Sequence, residues 1–371
     1  MPDRASARAA LRVAGFGLPG TGRDPIELSD EEWRILLATV DTQRLSGVAM
    51  AAAQAGVLVA DEARRRELAD RHGQSMLWAL IVERKLLALM ERFAEAAIDV
   101  VALKGPTMAH TIYPDPSWRP FGDLDLLVRT ADWGRATDFL ATLGFDRRLP
   151  EPRPGFDERF GKAAVHTNGD GVEVDLHRTL VLGPFGLWLD PEELFRRTDL
   201  LALGGRKVRR LDDITLLLHA CVHASLGWVP PRLMPLRDVA QAATSARVDW
   251  DQFADLVRRW RLRAVIRHAF DTTQATLGVI LPTDALGVAR AEPSRAERRA
   301  LASYTTAQRG RGGTATSTLR AIPGLRGKVA YLWAMLVPSR DFLDRRLSAR
   351  GSYWRRWLVP VRWLTGSRKR G

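Results

Sequence analysis

Only one cysteine, Cys221, occurs in the 371 residues. A single thiol excludes an intrachain disulfide, and a reducing, cytoplasmic setting is the expectation. Long apolar runs are missing too: none reaches the roughly 18 residues of a membrane span. The nearest, LSGVAMAAAQAGVLVA at Leu45–Ala60, carries Gln54 and many small residues, as a packed helix would. The opening residues, MPDRASARAALRVAGFG, lack the apolar core of a signal peptide. No internal repeat is found, and the only compositional oddity is RGRGGTATST at Arg309–Thr318, which reads as a Gly/Thr-rich break. Acidic charge is the scarcer sign: 56 Lys and Arg against 43 Asp and Glu leave a formal net charge of +13. That excess favours polyanionic partners such as nucleic acid, nucleotides or anionic surfaces. Arginine used wherever lysine would serve accounts for much of it equally well.

What is present is a globular composition, 46% hydrophobic and 27% charged. LSDEEW opens a helix, with Ser29 as N-cap and Glu32 at the capping-box position. Helical spacing then continues to about Phe93. The middle of the chain alternates. DVVAL and DLDLLV read as strands, with a short helix after Gly105 between them, and ADWGRATDFLATLG reads as a helix ending at Gly144. KAAVHTNGDGVEVDLHRTL reads as a hairpin turning at Asn168–Gly171. From about Asp190 onward the pattern is again helical. The expected architecture is α+β: an N-terminal helical segment (1–97), a core with a small mixed sheet (98–186), a C-terminal helical bundle (187–310) and a basic, Trp-rich tail (311–371).

Three stretches of the core carry chemistry. RPFGDLDLLV sets Asp123 and Asp125 on one face of a strand, with Leu124 and Leu126 on the other. Two adjacent carboxylates repel and resist desolvation, which calls for a neutralising cation. VEVDLH places Glu173, Asp175 and His177 on one face of a second strand, so that Asp175 is able to join the pair. LKGPT ends a strand in glycine ahead of a helix: the backbone at Gly105 offers phosphate a close approach, and Thr107 adds a hydroxyl. Lys104 and Arg119 are candidate phosphate-binding cations, or else counter-ions for the aspartates. His177 either orients a carboxylate, meets substrate or is structural. Three carboxylates beside a phosphate cradle suit Mg²⁺-dependent phosphoryl or nucleotidyl transfer, with two ions.

The ordered set ALKG, RPFGDLDLLV, GF and VEVDLH resembles the DNA polymerase β-like nucleotidyltransferase superfamily, and within it the bacterial uncharacterised nucleotidyltransferase family. The resemblance is sharp over residues 98–180 and weaker in LLLHACVHAS, LRDVA and LVPSRDFLDRR. It implies a nucleotidyltransferase core, with Gly105 in the glycine signature, Asp123 and Asp125 as the metal-binding pair and Asp175 as the third carboxylate. The implied reaction moves a nucleoside monophosphate from an NTP, ATP by default, to an acceptor hydroxyl on a peptide, sugar, tRNA or protein. Gly105–Pro106 departs from the usual Gly-Ser or Gly-Gly and removes one backbone N–H. A non-catalytic nucleotide- or RNA-binding relative, or a toxin acting on tRNA, is the alternative.

Three further features have weaker claims. His219 and His223, four apart on a helix, match two zinc ligands, but no third ligand follows and helix packing is the preferred reading. Arg237 and Asp238 either reach toward the site or form a helix-surface pair. In the tail, Trp354, Trp357 and Trp363 alternate with arginines, as suits an anionic surface or nucleic acid, or else the tryptophans cap the helical core and leave the arginines in water.

Overall fold

The computed structural model describes residues 4–245, 247–306 and 311–347. Four helices come first: α1 (Arg4–Gly15), α2 (Asp30–Gln43), α3 (Ser46–Gln54) and α4 (Glu62–Glu95). α2 starts at the predicted cap, where Ser29 Oγ accepts the Glu32 N–H and the Glu32 carboxylate accepts the Ser29 N–H. α4 has 34 residues, about 51 Å at the usual helical rise, and buries Ala79, Val82, Leu86, Leu89 and Phe93 along one side.

The sheet region follows as β1 (Val100–Ala102), α5 (Pro106–Ile112), β2 (Leu124–Val128), α6 (Trp133–Thr142), β3 (Asp146–Arg147), α7 (Phe156–Phe160), β4 (Ala163–Thr167), β5 (Glu173–His177), α8 (Pro184–Trp188), α9 (Pro191–Arg196), β6 (Thr198–Leu203) and β7 (Arg206–Leu211). The chain closes with α10 (Asp213–Leu226), α11 (Leu233–Ser245), α12 (Trp250–Arg259), α13 (Arg263–Leu277), α14 (Thr283–Ala289), α15 (Arg295–Thr305), α16 (Arg311–Ala321), α17 (Leu325–Leu336) and α18 (Arg340–Leu347). The fold is thus α+β, with a mixed seven-stranded sheet in the order β3-β4-β5-β2-β1-β7-β6.

Period-two alternation sorts the central strands between two cores. Leu124, Leu126 and Val128 of β2 join Val82 and Leu86 of α4 and Ala136 and Leu140 of α6. Leu127 of β2, with Val101 and Leu103, joins the larger core built on α10, α11 and α13. Each leucine so buried contributes about 1.5–3 kcal/mol, and together they fix the register, because a one-residue slip would exchange the faces. Asp125 therefore sits on the face that looks toward the helical bundle. β2 runs parallel to β5 with Asp125 opposite Asp175, and the hairpin sets Val165 of β4 against Asp175.

Two expectations are corrected. Residues after Asp190 are not helical throughout: β6 and β7 form a hairpin, and β7 extends the sheet beside β1. Its two-residue turn, Gly204–Gly205, has φ of 54° and 75°, the left-handed pair that suits the twist of a tight hairpin. The Gly/Thr-rich stretch is not a break either. Most of it forms α16, which packs on α8 and α15. The tryptophans and arginines of the tail lie outside the described residues.

Candidate active site

β1 delivers Lys104 and Gly105 to the edge of the bundle-facing side. Gly105 caps α5 with φ 65° and ψ −116°, a backbone conformation that glycine adopts and L-residues resist. Pro106 then supplies the first helical residue, where its missing N–H breaks no helical bond.

Asp125 is buried at the centre of the site. Its Oδ1 accepts from Lys104 Nζ at 2.9 Å and from His177 Nε2 at 2.9 Å. Burial disfavours its charge, but Lys104 and His177 outweigh that and hold its pKa well below the ordinary carboxylate value. Burial likewise works against Lys104, yet the nearby aspartates, Asp125 first, keep its pKa above the usual one for lysine. Asp175 lies the other way: burial, then the charge of Asp125, raises it, while His177, Lys162 and Lys104 oppose.

Asp125, Asp175 and His177 bring donor atoms within 4.8 Å of one another, the group of this kind among the described residues. His177 is better placed to orient than to ligate. Its Nδ1 faces the Thr179 carbonyl at 3.1 Å and its Nε2 faces Asp125 Oδ1 at 2.9 Å, so both ring nitrogens are already engaged in this arrangement. Asp125 Oδ2 and Asp175 Oδ1, by contrast, are buried and find no hydrogen-bond donor. Two bare anionic oxygens on adjacent strands fit a hard divalent cation, which takes oxygen ligands.

The other sequence-predicted residues fall in different places. Asp123 precedes β2, outside that tight group, with its carboxylate 3.6 Å from Arg44. Glu173 pairs with Arg148 at 2.9 Å. Thr107 is fully buried and donates to the Leu103 carbonyl at 3.1 Å, so its hydroxyl is turned into α5 and not toward a ligand. Arg119 is also buried. It forms a two-pronged pair with Asp238 at 2.7 and 2.8 Å and donates to the Gly105 carbonyl at 3.3 Å. Tyr113 adds its hydroxyl to Asp238 at 2.7 Å. Asp238 is therefore no surface residue: it anchors α11 to the glycine turn. Arg237 is fully buried too, donating to the carbonyls of Ala14 and Phe16 at 2.7 and 2.8 Å. His219 and His223 are held neutral on α10, well below the ordinary histidine pKa, by burial and then by Lys104.

Two cavities lie nearby, the larger of them lined in part by Asp175. One of about 260 Å³, bounded by Arg44, Trp78, Phe121 and Gly122, adjoins the side of Asp123 and Gly105. The other, about 740 Å³, is bounded by Lys162, Asp175 and His223 at one end. Neither Arg44 nor Lys162 belongs to the three motifs: Arg44 arrives by tertiary packing, and Lys162 heads the hairpin that pairs β4 with β5.

The family model of the uncharacterised nucleotidyltransferases matches residues 29–278. The chain belongs to that family. Among solved structures, it is similar to an antigenic nucleotidyltransferase-like protein from Paracoccidioides brasiliensis, at 16% identity and a TM-score of 0.34, over 56% of this chain and 96% of that one. No curated protein matches it significantly. No helix among the described residues is long and apolar enough to cross a membrane.

Proposed function

We propose that the protein is a metal-dependent nucleotidyltransferase that moves a nucleoside monophosphate from an NTP, ATP by default, to an acceptor hydroxyl. The observation that carries this reading is the pair of buried, donor-less oxygens of Asp125 and Asp175, in register on parallel strands. Asp125 and Asp175, with Asp123 at the open end, would hold Mg²⁺, which neutralises the triphosphate and lowers the pKa of the attacking hydroxyl. Gly105 and Lys104 bind the triphosphate on the β1 side, with Arg44 nearby. Arg119 and Thr107 serve that side from within: Arg119 ties the Gly105 carbonyl to Asp238, and Thr107 secures the first turn of α5. His177 orients Asp125.

In the reaction, the acceptor oxygen forms a bond to the α-phosphorus. The bond from that phosphorus to the oxygen bridging to the β-phosphate breaks, and pyrophosphate departs with the electron pair. The acceptor proton passes to the Asp175 carboxylate. A nucleotide pool in the cytoplasm would supply the substrate.

One observation favours the second reading, a nucleotide- or RNA-binding relative without transfer: the Lys104 ammonium already gives Asp125 a positive partner. Pyrophosphate release from each NTP, with Mg²⁺ and a pooled acceptor extract, separates the two. Transfer predicts release by the wild type and at least a hundredfold loss in Asp175→Asn. Nucleotide binding with no release from any pool would support the second reading.

A further inference from the structure

The larger cavity is not needed to explain the carboxylates. In the sheet order β4-β5-β2-β1, the glycine turn after β1 and the Lys162–Asp175 end of the cavity lie on opposite sides of Asp125. Phosphoryl chemistry places the attacking and leaving oxygens roughly in line. With pyrophosphate leaving on the Gly105 side, attack comes from the Asp175 side, out of this cavity.

The walls are mostly apolar, including Leu180 and Val222, with Tyr331 and Phe342 from the C-terminal helices. An apolar body is the match for such walls. About 740 Å³ is the size of a small-molecule site. Charge adds a second constraint. Lys162 is half-buried at the cavity's edge and forms no close ion pair among the described residues, the charges of Asp125 and Asp175 acting on it from farther off, and an ammonium so placed without a close partner is costly. The neighbouring guanidinium groups are already committed, Arg147 to Asp157, Arg148 to Glu173 and Arg346 over the Phe342 ring. One uncommitted ammonium balances a monoanion. Tyr304, Thr318, Tyr331 and Phe342, which close the cavity, all lie beyond residue 278, where the family match ends. The matched core thus supplies the carboxylates, and helices beyond the match line the rest of the chamber.

We propose that the chamber binds the acceptor, and that the acceptor is a small molecule with an apolar body and, besides its attacking hydroxyl, a carboxylate that pairs with Lys162. This assignment rests on the nucleotidyl-transfer reading for the word acceptor, but the binding it predicts does not require turnover. The test is calorimetry on the full chain with Mg²⁺ and no nucleotide. It compares 3-phenylpropanoate, 6-phenylhexanoate and decanoate with the alcohols of the same carbon skeletons. The carboxylates are expected to bind about tenfold to a hundredfold more tightly than the alcohols. Lys162→Met should abolish that preference while leaving alcohol binding in place. Met335→Trp, which fills the chamber, should weaken both series alike, with thermal unfolding confirming that each variant is folded. Equal affinity for the two series, no binding of either at millimolar concentration, or competitive displacement of the carboxylates by ATP would overturn the proposal. Carboxylate binding without nucleotide transfer would leave the chamber assignment standing and count against nucleotidyl transfer. Transfer to acceptors that show no such preference would sink the chamber assignment alone.

Discussion

Removing Asp238 should cost far more than its distance from the metal site suggests. The Arg119 guanidinium is buried, and both of its close contacts end on the Asp238 carboxylate, at 2.7 and 2.8 Å. The Tyr113 hydroxyl ends there as well, at 2.7 Å. In Asp238→Leu a buried cation keeps only the Gly105 carbonyl, at 3.3 Å. Breaking a buried pair on one side costs about 3–5 kcal/mol, chiefly because the remaining charge is left without a partner. That is a large part of the 5–15 kcal/mol by which a typical domain is stable. Arg119→Met alone strands the carboxylate and should cost a similar amount. The double variant has no buried charge left and should be at least 2 kcal/mol more stable than the sum of the singles implies. Urea unfolding of the four proteins gives the cycle. Singles within 1 kcal/mol of the wild type, or strict additivity, would refute the claim that this pair is buried and clamps α11 to the glycine turn.

Gly105→Ala should destabilise by about 1–3 kcal/mol, since an L-residue resists this backbone conformation. The nearest atoms to an added Cβ are 3.6 Å away, so the cost is conformational and not a clash; urea midpoints measure it, and NMP transfer should fall by more than the unfolded fraction explains. Acid should weaken the fold through its buried histidines. Burial pushes His166 down to about 4, so the folded form stays neutral while an unfolded histidine takes a proton below about 6.5. Its stabilising effect is complete above that value and lost as pH falls from there toward 4. Between pH 7.5 and 5 the loss from His166 is about 2 kcal/mol, and His219 and His223 act in the same direction. Urea midpoints at the two pH values should show the decline, with His166→Gln reducing it; a flat profile would contradict the burial of these rings.

The parts of the fold that could be read in the sequence are those fixed by neighbours along the chain. The Ser29–Glu32 cap is three residues of local chemistry, and the alternation of Asp123, Leu124, Asp125 and Leu126 follows from the pleat. The turn at Asn168 also sets a register, which carries Asp175 to its place opposite Val165. What escaped depends on partners far along the chain. Thr198–Leu203 is largely exposed, so it lacks the apolar alternation that marks a half-buried strand, and its sheet neighbours cannot be known locally. Gly312 and Gly313 lower the helix propensity of α16, and packing against α8 and α15 overrides them. Arg119 looked free to meet phosphate because Asp238 lies 119 residues away. Arg44 reaches the site by tertiary packing that no spacing rule encodes, whereas Lys162 comes with the hairpin, one residue ahead of Ala163 opposite His177.

The central claim is that Asp125 and Asp175 serve transfer of a nucleotide and not of a terminal phosphate. Parallel incubations with ATP labelled at the α- or the γ-phosphate, in Mg²⁺ and a pooled acceptor extract, test it directly. The α-label is expected to enter an acceptor while the γ-label leaves as pyrophosphate, and both outcomes should vanish in Asp125→Asn with the fold intact. Retention of the γ-label on the acceptor, or full activity in folded Asp125→Asn, would contradict it.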